Sequence, residues 1–347
     1  MLPGQNNRIS TAVLASALLT MSLSSAHAND PATSAVSQGT GHCAHYALPA
    51  FPDLTPITGA DGTHTVTSPF GEVELPTNPA ASLGMYTTDI DILIWLGFPL
   101  AQQQPIRGDN NYQSFPCFFP LAALENVTPF GNYPEYNFEQ VLVAEPDFIL
   151  NGLGYDATVN ERLPQIAPTY SVNAYDGRSW QEHFKETATA LGRLDRYEAW
   201  LALYQARLNE VRQTIENPAD IVVSPLAAWD GKFAASCYAG VECTVFRDLG
   251  LTIFEPAMVE RGTGTEFGPE DLGQLSEIDF AFSSAAAGEE GLASFRESIA
   301  NFEKNPLWSA LEIAKQGRFV PFDMEMVYGS PSGQLAFLEV VAATLAE

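Results

Sequence analysis

The side chains best suited to chemistry in this chain are those of a binding surface. Tyr86, Arg107, Tyr112, Tyr155, Trp180, Trp229, Phe233, Tyr238, Met326 and Tyr328 occupy positions that follow apolar, strand-like runs. Aromatic walls with a few polar groups suit a bulky, mostly organic ligand. Lys and Arg number only 16 against 42 Asp and Glu, so Arg107 is conspicuous. A guanidinium fork can take a carboxylate or catecholate edge through two hydrogen bonds. With Asp109 two residues on, Arg107 reads equally well as a loop arginine paired to that acid. Trp229 is divided in the same way between a cleft wall and the core, since indole fills cores well. Tyr328, beside Gly329-Ser330-Pro331, reads as a rim residue and Trp308 as core. Arg178 and Arg261 are reserve basic contacts.

Reaction chemistry is poorly represented. Gly329-Ser330-Pro331-Ser332-Gly333 imitates a nucleophile elbow, but Pro331 stands where the nucleophile should be. The sequence contains no H-E-x-x-H, no P-loop and no paired zinc-ligand cysteines. His42-Cys43-Ala44-His45 lies in a Ser/Thr/Ala-rich tract, and Cys43 is better used in a disulfide. A secreted hydrolase is therefore the weaker alternative, and the chain reads as a binder, not an enzyme. A formal charge of −26 opposes nucleic acid and anionic lipid as partners. That charge fits a solvating acidic surface better than it argues for a cationic ligand.

The N-terminus has the three parts of a cleavable secretory signal: Arg8, an apolar stretch from Thr11 to Leu23, and a small-residue end at Ala26-His27-Ala28. The apolar stretch is shorter than the roughly twenty residues of a spanning helix. Cleavage before Asn29 would leave a free periplasmic protein long enough for two lobes. In that oxidising compartment Cys43, Cys117, Cys237 and Cys243 favour disulfides. Three pairings are open; the short Tyr-Ala-Gly-Val-Glu loop favours Cys237 with Cys243, which leaves Cys43 with Cys117.

These residues must be positioned by alternating strands and helices. After a loose arm over 29–60, a hairpin surrounds Pro69-Phe70-Gly71. Strands follow near Ala81–Met85, Pro99–Gln103 and Phe148–Leu150, with helices at Asp89–Leu96 and Phe138–Ala144. This alternation predicts an α/β fold with mostly parallel sheets covered on both faces. In such sheets ligands sit beyond the carboxyl ends of the strands, which singles out Tyr86-Thr87-Thr88, the loop holding Arg107, and Gly152-Leu153-Gly154-Tyr155. The apolar stripe of Phe184, Ala188, Leu191, Leu194, Tyr197, Leu201, Tyr204 and Leu208 predicts one long helix over 179–216. That helix would join an N-terminal lobe over 61–178 to a C-terminal lobe over 217–347. The second lobe should contain a strand at Ile221–Ser224, a helix opened by Gly268-Pro269-Glu270-Asp271, a strand at Ile278–Phe282, a helix at Pro306–Lys315, a strand at Phe319–Phe322 and a last helix from Gln334.

Several stretches resemble the periplasmic binding proteins for ferric siderophores, haem and cobalamin. They are Asn137-Phe138-Glu139-Gln140-Val141-Leu142 with Glu145-Pro146-Asp147-Phe148, Leu163-Pro164-Gln165-Ile166-Ala167-Pro168, Asp248-Leu249-Gly250-Leu251, and Asn305-Pro306-Leu307-Trp308 with Gly317-Arg318-Phe319-Val320. The resemblance implies two lobes joined by one long helix, with the ligand held in the cleft between them. It implies capture of a ferric siderophore and its delivery to an ABC import permease at the inner membrane, with haem or cobalamin as the alternative ligand. It also implies that Glu139 and Glu270 meet permease arginines, although a carboxylate in the first turn of a helix is favoured by the helix dipole alone. Trp229, after the first strand of the second lobe, falls where the family faces its ligand. The ligand contacts are thus expected at Tyr86, Arg107, Tyr155, Trp229, Tyr238 and Tyr328. The protein is expected to be a monomer with no cofactor of its own and no direct metal ligands. Few basic residues lie near the cleft, which leaves room for a neutral or cationic chelate such as a hydroxamate.

Overall fold

The computed structural model describes residues 50–59, 62–237, 240–259 and 264–346, and the backbone of 37–38 and 47–48. The predicted signal segment, Cys43, Tyr238 and Arg261 lie outside the described residues.

Strands Ser37–Gln38 (β1) and Ala47–Leu48 (β2) pair antiparallel, as do Thr63–Ser68 (β3) and Gly71–Pro76 (β4) around the predicted turn. The chain continues through Ser82–Gly84 (β5), Thr87–Trp95 (α1), Gln103–Arg107 (β6), Thr128–Tyr133 (β7), Phe138–Val143 (α2), Phe148–Asn151 (β8), Ala157–Arg162 (α3) and Thr169–Ser171 (β9). Strands β5, β8 and β9 form a parallel sheet in that order, and β6 pairs parallel with β7. Helices Trp180–Ala190 (α4) and Leu194–Thr214 (α5) lead into the second half. There, Val222–Pro225 (β10), Ala227–Trp229 (β11), Lys232–Ala235 (β12), Val241–Leu249 (α6), Thr252–Ile253 (β13), Thr265–Phe267 (β14) and Phe280–Ala285 (β15) precede Gly288–Phe302 (α7). Pro306–Ala310 (α8), Glu312–Lys315 (α9), Phe319–Asp323 (β16) and Pro331–Leu345 (α10) complete the chain. Its parallel sheet has the order β13-β10-β15-β16, beside an antiparallel β11-β12-β14 sheet. The predicted α/β class with mostly parallel sheets is the one observed.

Both halves use the same device to register neighbouring strands. Asp147, just before β8, accepts the N–H groups of Ala80 at 2.7 Å and Ala81 at 3.0 Å while its own N–H donates to the Ala81 carbonyl. Asp279, just before β15, accepts the Val222 N–H at 2.8 Å and donates its N–H to the Val222 carbonyl. An aspartate at this position satisfies backbone groups at a strand start that would otherwise lack a partner.

Several expectations shift. The helix predicted as unbroken over 179–216 is two, because Gly192 adopts φ +66° and ends the first after Ala190. Left-handed backbone is open to glycine at little cost. The second, α5, has 21 residues and is the long helix of the fold; it buries Tyr197, Trp200, Tyr204 and Leu208. The strand expected near 99–103 falls at β6 instead, since only Leu100 makes a bridge, to Ser82. The helix expected from Gly268 is a turn followed by a single stretch of 3-10 helix, Leu272–Glu277. Gly273 weakens helix there, and Asn305 Nδ2 pins the Pro269 carbonyl at 2.8 Å. Leu311, with extended backbone, splits the last predicted short helix into α8 and α9. Residues 50–59, read as loose, lie against the body: the Phe51 ring meets Trp95 edge-on at 5.9 Å and Ile57 N–H donates to the Gly97 carbonyl at 2.7 Å. Cys237 and Cys243 form the predicted disulfide. Cys117 is also disulfide-bonded. Among the described residues no helix is long and apolar enough to cross a membrane.

Candidate functional site

At the carboxyl ends of the strands, side chains converge on one cleft of about 360 Å³ lined by Tyr86, Arg107, Tyr133, Leu153, Tyr155, Tyr175 and Tyr328. Each arrives from a strand end: Tyr86 after β5, Arg107 from β6, Tyr133 from β7, Leu153 and Tyr155 after β8, Tyr175 after β9 and Tyr328 after β16. Tyr328 alone in this lining comes from the C-terminal half.

Local structure explains the placement. Tyr86 is the N-cap of α1, and Asp89 turns back to accept the Tyr86 N–H at 3.2 Å and the Gly152 N–H at 2.9 Å. One buried carboxylate thus ties the loops after β5 and β8 together, and burial pushes its pKa up to about 7. A Cβ at position 152 would stand 2.7 Å from Asp89 Oδ1, so any larger residue there would push this carboxylate aside.

The rings meet edge to face, the arrangement favoured by the aromatic quadrupole. Tyr86 lies 6.0 Å from Tyr133 and 5.6 Å from Tyr328, Tyr175 lies 6.3 Å from Tyr328, and Tyr155 lies 5.5 Å from Tyr175. Tyr155 and Tyr175 are exposed at the mouth while Tyr86 is buried at the floor. The Arg107 guanidinium stacks 4.7 Å from the centre of the Tyr133 ring and 5.7 Å from that of Tyr328.

Arg107 is buried, and each of its three nitrogens donates hydrogen bonds. Its Nε and Nη2 donate to the two carboxylate oxygens of Asp109 at 2.5 and 3.1 Å. Its Nη1 donates to the Tyr86 hydroxyl at 2.7 Å, the Tyr328 hydroxyl at 3.2 Å and Glu325 at 3.4 Å. Glu325 also accepts from the hydroxyls of Tyr86, at 3.0 Å, and Thr87. Burial pushes the Glu325 carboxyl up to about 7, against the pull of Thr87 and Arg107. Arg107 thus pairs with Asp109 as the sequence allowed, but from a buried strand position in the cleft lining and not from an exposed loop.

Of the predicted contacts, Tyr86, Arg107, Tyr155 and Tyr328 come together. Trp229 does not join them: it ends β11 and is 76 % exposed. Its strand belongs to the antiparallel sheet and leads into the Asp230-Gly231 turn, so the side chain points into solvent instead of across the cleft. Arg178 is paired with Asp176 at 2.8 Å and Glu186 at 2.5 Å. Of the wider aromatic set, Phe233 and Met326 are core, and buried Tyr112 donates to Asp323. Trp180 stacks on Phe184 within α4 and donates to Gln334 at 2.8 Å. Glu139 is exposed in the first turn of α2. Glu270 is exposed in a turn, not in a helical first turn.

Tyr133, Tyr175 and Glu325 were not singled out from sequence, whereas Leu153 lies in the Gly152-Leu153-Gly154-Tyr155 segment that the post-strand rule named. Strand β7 contains Pro129 and Gly131 and so carries no strand signature. Tyr175 obeys the same post-strand rule as Tyr155 once β9 is known. Among the described residues no group of three or more His, Cys, Asp or Glu side chains is arranged to hold a metal ion.

The sequence matches the family described as periplasmic binding protein over residues 85–324. No curated protein matches it. The fold is similar to that of Staphylococcus aureus SirA complexed with staphyloferrin B, at TM-score 0.64 and 16 % identity over 82 % of this chain and 98 % of that one. A FhuD fold-family protein from Bacillus subtilis, a periplasmic binding protein component of a Fep/Fec-like ferrichrome ABC transporter, gives TM-score 0.63 and 21 % identity over 81 % and 99 %. The FhuD protein from S. pseudintermedius gives 0.60 and 17 % over 82 % and 98 %. At these identities the likeness is one of fold.

Proposed function

The chain belongs to the periplasmic binding protein family, and from that premise we propose that it captures a ferric siderophore outside the cytoplasmic membrane and passes it to an ABC import permease. The observation that carries this reading is the cleft: five tyrosines around one arginine, converging from strand ends of both halves. A ferric chelate brings its metal already saturated, so its holder needs aromatic walls and a few polar groups, not metal ligands. The names of the S. aureus and B. subtilis fold relatives point to the same ligand class.

In this reading Tyr86, Arg107, Tyr155 and Tyr328 contact the ligand, joined by Tyr133 and Tyr175. Tyr238 is a further proposed contact, and exposed Trp229 is an outer contact only if the second half moves toward the cleft on binding. Met1–Ala28 directs export and is removed, 61–178 and 217–347 act as the two lobes, and 179–216 acts as the link. Glu139 and Glu270, both exposed, dock to basic residues of the permease. Haem is the second reading, favoured by the exposed phenol of Tyr155, since a tyrosinate can ligate haem iron.

The test is a titration of the mature protein with ferric siderophores, haemin and cobalamin, followed by tryptophan fluorescence. Sub-micromolar binding of at least one siderophore, about −8 kcal/mol or better, is the expected result. Tight binding of haemin with no siderophore bound would overturn it.

A further inference from the structure

We infer that the cleft selects iron chelates carrying no net negative charge, and that Asp109 and Glu325 set this preference by occupying Arg107. The inference deepens the proposed function and rests on it.

Arg107 is the one basic side chain in the cleft lining among the described residues. The guanidinium edge that a carboxylate or catecholate would grip, Nε with Nη2, is already held in a bidentate pair by Asp109. The remaining Nη1 faces Glu325 and the hydroxyls of Tyr86 and Tyr328. The guanidinium carbon sits over the ring faces of Tyr133 and Tyr328. The Nε–Nη2 fork edge of the cation is therefore taken before a ligand anion arrives. Asp109 stands two residues from Arg107 on the same chain, so it competes for that edge as a tethered group with a high effective concentration. An anionic arm would have to displace it and then sit beside the freed carboxylate.

One positive charge faced by two acids leaves the pocket floor with no positive excess. Around it stand five phenol rings whose faces attract cations. The chain as a whole carries −26, which concentrates cations and repels anions on approach. Pocket chemistry and long-range field thus act in the same direction.

The experiment compares three ferric chelates of different charge against the mature protein: cationic ferrioxamine B, neutral ferrichrome and trianionic ferric enterobactin. The unmutated protein should bind the better of the first two at least about tenfold tighter than the trianion, the scale of one partly shielded charge interaction. Asp109→Asn, at a half-exposed side chain, frees the fork edge and should narrow that ratio about tenfold. Glu325→Gln, nearly the same shape, should narrow it in the same direction; if its melting curve shows misfolding, Asp109→Asn decides alone. Equal or tighter binding of the trianion by the unmutated protein, or an unchanged ratio in Asp109→Asn, overturns the charge rule while leaving the chelate reading standing. Binding of no chelate of any charge overturns both.

Discussion

Replacing Tyr328 tests whether the ligand bridges the two halves of the molecule, because this ring alone carries the C-terminal half into the cleft lining. Its ring contacts Tyr86 and Tyr175 edge-on, and its face lies against Arg107. The side chain is half-buried, so a ligand closing over it would cover about 60 Å² more, about 1.5 kcal/mol at about 25 cal/mol per Å². An aromatic contact adds about 0.5–1.5 kcal/mol. Tyr328→Ala should therefore weaken binding by about 2–3 kcal/mol, roughly 30- to 150-fold in Kd. Tyr328→Phe keeps the ring and loses a hydroxyl that accepts from Arg107 at 3.2 Å, which should cost about 1 kcal/mol or fivefold. Calorimetric titration of both variants, with circular dichroism to confirm the fold, separates the ring from its hydroxyl. An Ala variant that stays folded and binds within about threefold of the unmutated protein would refute the bridging argument.

Burial raises the carboxyl pKa of Asp91 and Asp323 to about 6 and of Asp89, Glu242 and Glu325 to about 7. Each folded-state value lies above the unfolded one, so the stability they contribute is complete below about pH 4 and is lost as pH rises through 6 to 7. The melting temperature should fall between pH 5 and pH 8; a flat or rising profile would contradict this. Asp91 accepts both the N–H and the hydroxyl of Ser332 at 2.7 Å, and its shift from 3.8 to about 6 corresponds to about 3 kcal/mol. Asp91→Asn should accordingly flatten part of the slope. For docking, Glu139→Ala with Glu270→Ala should leave chelate affinity intact while uptake through the cognate permease falls, each lost interface charge costing about 1 kcal/mol or more; normal uptake at matched protein levels rejects the assignment.

The sequence by itself determined the fold class, the post-strand rule and four of the cleft residues. Short apolar runs alternating with amphipathic helices have few folded solutions, and in parallel sheets the strand ends are where ligands gather. Tyr86, Arg107, Tyr155 and Tyr328 followed from that rule alone. Small breakers marked where prediction failed: Gly192 divides the long helix, and the turn at Gly268-Pro269 replaces a helix that its acidic start suggested. Trp229 obeyed the post-strand rule yet faces solvent, because β11 turns at once into an antiparallel hairpin instead of a crossover. Only the tertiary structure decided the electrostatics of the site. Glu325 is 218 residues from Arg107 and 239 from Tyr86 along the chain, and no local pattern announces such a contact. Whether an arginine in an acidic chain is free to hold an anion depends on which carboxylates the fold brings to it, and that is settled by packing across the two halves.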